Sequence, residues 1–238
     1  MIPARIGSTR LKMKNLALIN GEPMISYAIN AAKRSSVFDK IVINSDSKIF
    51  QKIADRYGVE FFQRPDHLGS SATKSDDVIL DFMKNYHADI IVWVNPICPF
   101  QTGSDIKNVT KYFLSNKLDS LITVEDKDVH CLYKGKPVNY NSNELFAQTQ
   151  DMIPVQTFVY SIMMWRRKTF INKYNKDGYA LFCGRFGTFP ASKIAGLIIK
   201  NKDDLKIADL LIRGLNKMSG DYEVGYDSLV LSTIDHEK

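Results

Sequence analysis

The feature that most constrains the fold is the alternation of short apolar runs with amphipathic ones over the first half of the chain. Residues 89–94, Asp-Ile-Ile-Val-Trp-Val, are almost wholly apolar, as a strand covered on both faces must be. Residues 40–44, Lys-Ile-Val-Ile-Asn, read the same way, and 59–62 and 120–124 supply further strands. Between them lie stretches with apolar residues at helical spacing. Over 22–35 these are Met24, Ile25, Ala28, Ala31 and Ala32; over 75–86 they are Val78, Ile79, Phe82 and Met83. Residues 48–57, stopped by Gly58, and 105–114 read as two more helices. Parallel neighbours need a long crossover where antiparallel ones need only a tight turn. The alternation therefore predicts a mostly parallel sheet with helices on both faces, in one α/β domain over 1–238. Ligands in such sheets lie beyond the C-terminal ends of the strands.

The pattern changes after about Glu125. Residues 126–158 are polar and turn-rich, with Lys-Gly-Lys-Pro at 134–137 and an asparagine-rich run at 139–143, and read as an inserted hairpin or lobe. Strands are expected again at 158–165 and 195–199, with a short helix at 168–174 between them. Asn201 opens a helix to about Arg213, whose first turn holds Asp203 and Asp204, where negative charge suits the helix dipole.

The first fifteen residues carry the densest chemistry. Arg5, Arg10, Lys12 and Lys14 place four cations around Gly7, Ser8 and Thr9. Gly7 permits backbone angles that let successive N–H groups converge on an anion, and the hydroxyls add donors. The run has neither the Walker A nor the dinucleotide-fold spacing. It reads as a phosphate loop or, more simply, as a solvated basic loop. The net charge of +6 accords with anionic ligands and does not choose among them.

Other chemistries find little support. Cys98, Cys131 and Cys183 are far apart and odd in number, which argues against a disulfide framework or zinc site and for a reducing, cytoplasmic setting. His67, His87, His130 and His236 show no ligand spacing. No apolar run is long enough to span a bilayer, and no signal peptide is expected. Arg166, Arg167 and Lys168 read as a solvated helix start, so no nucleic-acid partner is expected.

From Ile2 to Asn15 the sequence resembles the signature of sugar nucleotidyltransferases of the cytidylyltransferase family, IPAR-x-GS-x-x-L-x-x-KN. The acylneuraminate branch fits best. Arg5, Gly7, Ser8, Leu11, Lys14 and Asn15 match it. The likeness continues through Asn20-Gly21-Glu22-Pro23-Met24-Ile25, the run at 38–43 with Ser45-Asp46-Ser47, and Tyr57-Gly58-Val59-Glu60 with Arg64-Pro65 and Leu68. It extends to 95–102, Asn-Pro-Ile-Cys-Pro-Phe-Gln-Thr.

The resemblance implies a Rossmann-like sheet of the nucleotide-diphospho-sugar transferase type, with a small inserted lobe that pairs two chains. It implies attack of an acidic sugar's anomeric hydroxyl on the α-phosphate of CTP, with magnesium and release of pyrophosphate. Arg5 and Lys14 would act in catalysis. Arg5, Gly7, Ser8, Arg10, Lys14 and Asn15 would hold the triphosphate. Arg64, Thr73, Ser75 and Asn95 would lie near base and ribose. The other reading of Arg64 is a strand-end salt bridge. Gln101 and Gln150 would contact the sugar, and Gln150 reads equally as a turn cap in the lobe. A homodimer through 126–165 is implied.

Three departures stand out. Val159-Tyr160 replaces an Asn-Gly pair, which would reshape the sugar pocket. Ile198 and Lys200 stand where the acylneuraminate branch carries its two magnesium aspartates. Either the ion is then held differently, chiefly by phosphates, or activity is lost. Finally, the family has a central strand just before Ile2, so the sheet is expected to show a gap or a shortened strand paired through Met1 and Ile2. A start site placed too late, or a trimmed chain, would account for this. The alternatives are a nucleotide-binding relative without transferase activity and a basic nucleic-acid-binding module.

Overall fold

The computed structural model describes residues 1–146, 148–217 and 224–226. In chain order its elements are β1 (Ile2–Ala4), β2 (Leu18–Ile19), β3 (Glu22–Pro23), α1 (Met24–Ser35), β4 (Val42–Ser45), α2 (Ile49–Tyr57), β5 (Glu60–Gln63) and α3 (Ser75–Asn85). There follow β6 (Ile90–Val94), α4 (Gly103–Ser115), β7 (Ser120–Lys127), β8 (Leu132–Tyr133), β9 (Lys136–Pro137), β10 (Val155–Arg166), α5 (Arg167–Asp177), β11 (Phe186–Pro190) and α6 (Lys202–Leu215).

β1, β4 and β5 form a parallel set in the order β1-β4-β5. β11, β7, β10 and β6 form a second, in that order; β11 runs parallel to β7, while β10 runs antiparallel to both β7 and β6. Met1 links the two sets. Its carbonyl accepts the Val94 N–H at 3.0 Å, and its amine donates to the Val92 carbonyl at 2.7 Å. Below Met1 the lane between β4 and β6 opens into a cavity of about 910 Å³, lined by Lys40, Val42, Ile90 and Val92 among others. The expected shortened strand is thus present, and Ile2, Pro3 and Ala4 pair with Ile43, Asn44 and Ser45.

Two apolar clusters sandwich the sheet, as the alternation requires. One joins Ile25, Ile29, Phe50, Ile106 and Phe113 from α1, α2 and α4 to Ile43, Val94 and Leu121. The other packs Ile79, Met83 and Phe170 from α3 and α5 against Ile91, Ile122 and Trp165. A third, smaller cluster binds Leu11 to Ile19, Met24, Ile199, Ala208 and Ile212, so α6 holds the basic loop in place.

Two expectations fail. Residues 195–199 are not a strand: Ala195 and Ile199 are buried, but the segment turns through Gly196 N–H to Ser192 O and Leu197 N–H to Ile194 O. Its apolar residues fill gaps instead of forming a ladder. The strand of this region is β11, whose Gly187 and Pro190 are poor strand formers that a sheet edge tolerates. β10 is also longer than the expected 158–165, reaches into the range assigned to the lobe, and has a bulge between Phe158 and Met163. There Tyr160, in place of the family's glycine, takes a left-handed φ of 54°. Among the described residues no helix is long and apolar enough to cross a membrane.

Candidate nucleotide site

The C-terminal ends of β1, β5 and β6 open onto one cleft of about 310 Å³. Arg5, Ser8, Arg10, Lys14 and Asn15 line one part of it; Arg64, Thr73 and Ser75 line another; Asn95 lies on its wall. Thr9, Ser70, Ser71, Val78 and Trp93 line it as well.

The loop geometry differs from the expected convergence of N–H groups. Gly7 lies outside the left-handed region, and a Cβ placed on it would meet nothing within 4 Å. The left-handed residue is Met13, with φ 52°, which starts the short 3-10 turn Lys14–Leu16. The N–H of Ile6 is given to Asp46 Oδ1 at 3.1 Å, and that of Ser8 to the Ile6 carbonyl at 3.0 Å. Side chains, more than backbone, therefore face an anion here. Gly7 itself does not line the cleft.

Of the loop's cations, Lys14 is the one anchored by a hydrogen bond among the described residues. Its Nζ donates to the Ile199 carbonyl at 3.1 Å. Burial, and after it the charges of Arg10 and Arg5, lower its pKa below the ordinary 10.5. Asn15 is buried, and its Oδ1 has no partner among the described residues. Arg64 is 4% exposed. Its Nη2 donates to the Ala4 carbonyl at 3.2 Å and lies 3.8 Å from Asp46 Oδ1. The strand-end salt bridge and a place on the cleft wall hold together for this residue. Cys98 lies beneath the loop, and burial pushes its thiol up to about 12, which removes it as a nucleophile.

Asn95 reaches the wall with its amide already engaged. Nδ2 donates to the Tyr160 carbonyl at 3.1 Å, and Oδ1 accepts the Ile97 N–H at 3.4 Å. Gln101 does not line the cleft. It is buried and donates Nε2 to the Asn95 carbonyl at 2.8 Å, bracing the turn after β6. Gln150 lies exposed in the 3-10 turn Thr149–Asp151 of the lobe, bonded to Gln148, and is not on the cleft wall.

Sequence reasoning missed Asp46, which sits at the end of β4. The Ser45-Asp46-Ser47 run reads as a helix-cap signal, and Ser47 Oγ does accept the Ile49 N–H at the start of α2, at 3.5 Å. Asp46 instead ties the loop, through Ile6, to Arg64 on the neighbouring strand end. The rule that sites lie at strand C-termini was the available signal.

No three histidine, cysteine, aspartate or glutamate side chains gather as a metal site among the described residues; His236 lies outside them. Asp204 caps α6 in a box with Asn201, its Oδ2 accepting the N–H groups of Lys200 and Asn201. Among the described residues, then, no ready-made cage of protein carboxylates awaits a magnesium ion.

Residues 1–181 match a protein family described as Cytidylyltransferase. N-acylneuraminate cytidylyltransferase of Streptococcus agalactiae serotype III (strain NEM316) is 25% identical over 213 residues, 86% of this chain and 50% of that protein. The chain thus spans about half the length of such curated relatives. Post-translational flagellin modification protein B of Campylobacter coli is 28% identical over 240 residues, 93% of this chain and 97% of that one. Among solved structures, CMP:2-keto-3-deoxy-manno-octonic acid synthetase complexed with CTP superposes with a TM-score of 0.66 at 15% identity, covering 90% of this chain and 97% of that one. At that identity the likeness is one of fold.

Proposed function

The chain belongs to the cytidylyltransferase family, and from that premise we propose that it transfers CMP from CTP to an acidic, nonulosonic sugar for surface-glycan synthesis. The observation that carries the reading is the convergence of Arg5, Ser8, Arg10, Lys14 and Asn15 with Arg64, Thr73 and Ser75 on one cleft.

In the proposed reaction the anomeric oxygen of the sugar attacks the α-phosphorus. The bond from that phosphorus to the bridging oxygen of the β-phosphate breaks, and pyrophosphate leaves with the electron pair. The hydroxyl proton passes to solvent. Arg5 and Lys14 stabilise charge that builds on the phosphates, which is most of what such transfers ask of a protein. Arg64 and the hydroxyls of Thr73 and Ser75 orient the base and ribose. Asn95 contacts the base only by exchanging its bond to Tyr160, and Gln101 acts through it as a positioning residue. Gln150 belongs to the lobe and is assigned to the sugar of a paired chain. We assign the homodimer contact to residues 126–165, where Leu145, Phe146 and Ile153 are exposed. Light scattering is expected to give twice the chain mass, and a monomer would remove this assignment. We place the protein in the cytoplasm, in accord with three free thiols.

The test is pyrophosphate release from CTP with a panel of sialic, legionaminic, pseudaminic and Kdo-type sugars. Release with one of them is expected; no release with any sugar rejects the reaction. The second reading, a CTP-binding relative without turnover, is favoured by Ile198 and Lys200 and is separated by binding without release.

A further inference from the structure

The charge of the cleft is one-sided. Arg5, Arg10, Lys14 and Arg64 line it, and among the described residues no aspartate or glutamate does. Three acids come near enough to act on those cations, and none of the three lines the cleft. Asp46 acts on Arg64 and accepts the Ile6 N–H. Asp81 acts on Arg64 from α3, where burial raises its own pKa. Asp204 acts on Lys14, but its Oδ2 accepts the N–H groups of Lys200 at 2.7 Å and Asn201 at 3.0 Å.

The neutral oxygens on the wall, among them the unpartnered Asn15 Oδ1 and the hydroxyls of Ser8, Thr73 and Ser75, bring no negative charge to offset an ion's. The Ile199 carbonyl, at the Lys14 end of the cleft, is occupied by the Lys14 ammonium. The side chains on either side of it are a half-buried isoleucine, Ile198, and an exposed lysine, Lys200. Magnesium is held by carboxylates together with phosphates and water. A divalent ion beside Lys14 would add to the repulsion that Arg10 and Arg5 already exert there. The four cations that line the cleft suffice to offset a triphosphate's negative charge without it.

We infer that the cleft takes its nucleoside triphosphate as the metal-free polyanion, its guanidinium and ammonium groups supplying the neutralisation that a protein-held magnesium ion would give. The inference rests on the cytidylyltransferase reading for the identity of the nucleotide. Its consequence is that the protein competes for free CTP and not for the magnesium complex.

Calorimetric titration of CTP into the full chain, once in EDTA and once in excess magnesium chloride, tests this. The expected Kd in EDTA is tighter than that in magnesium or within threefold of it. A loss greater than threefold in EDTA overturns the inference and leaves the nucleotide reading standing. No binding in either buffer removes the nucleotide reading itself. One variant checks the position of Lys200. Lys200→Asp alone, at an exposed site, is expected to weaken CTP in EDTA at least threefold and to recover with magnesium. An unchanged affinity in both buffers places position 200 away from the phosphates and overturns the account.

Discussion

Removing Asp46 attacks the joint between the phosphate loop and Arg64. Its Oδ1 accepts the Ile6 N–H at 3.1 Å and lies 3.8 Å from Arg64 Nη2, with both charged side chains almost buried. In Asp46→Ala the Ile6 N–H loses a charged acceptor, worth about 1.5–3 kcal/mol. At 3.8 Å the ion pair is long and is worth about 1 kcal/mol, the top of the range for weak pairs, below the about 3–5 kcal/mol that breaking a tight buried pair costs. Arg64 keeps its bond to the Ala4 carbonyl, which limits the loss. The total comes to about 3 kcal/mol, or a fall in Tm of about 6–12 °C for a chain of this size. Asp46→Asn retains an oxygen for Ile6 and loses only the charge, so about a third of that fall is expected. Gly69→Ala acts on the same joint from the other side, since its Cβ would lie 2.7 Å from Asp46 Cβ. Thermal unfolding followed by circular dichroism measures all three. A Tm for Asp46→Ala within about 1 °C of the parent, or an Asn variant as unstable as the Ala variant, refutes the account of this joint.

Lys14 gives a pH dependence. Its pKa is lowered in the folded chain, so between that value and the ordinary 10.5 the unfolded chain binds more protons and stability rises with pH. Bound phosphate favours the ammonium, so CTP affinity should run the other way, falling by at most about tenfold per pH unit above the depressed pKa. Lys14→Arg should flatten the profile, and an equally steep fall in that variant assigns the titration elsewhere. At the start of α4, Thr102 and Asp105 form a reciprocal cap, with Asp105 N–H to Thr102 Oγ1 at 3.1 Å. Thr102→Ala should cost about 1 kcal/mol. Gly103→Ala should cost more, about 1–3 kcal/mol, because a Cβ there meets the Arg34 carbonyl carbon and Ser35 nitrogen at 2.8 Å. The reverse ranking in urea unfolding would contradict the packing of α4 on α1.

The strands that sequence identified are those whose burial leaves no choice. β6 and β4 lie inside the sheet and read as apolar runs. β11 was illegible because an edge strand can be built from Phe-Gly-Thr-Phe-Pro, which carries no strand signal. The run at 195–199 looked more like a strand and serves instead to pack Ile199 against Leu11 and α6. Direction was equally hidden: nothing local in residues 155–166 says that β10 runs against β6 and β7. In the cleft, the cations of the loop were legible because four charges in ten residues have little structural use. Asp46 was not, because its partners lie 40 residues before it, at Ile6, and on the next strand end, at Arg64. Gln101 looked like a ligand-facing amide, and only the burial of the turn after β6 shows it bonded to Asn95.

The central claim is that the cleft beside the basic loop binds CTP through Arg5 and Lys14. Equilibrium titration of CTP into the parent chain, Arg5→Ala and Lys14→Ala tests it most directly. Each substitution removes a charge-assisted contact worth about 1.5–3 kcal/mol, or roughly 10- to 100-fold in Kd. The account predicts that loss in both variants with Tm nearly unchanged. CTP binding of undiminished affinity in both would contradict it.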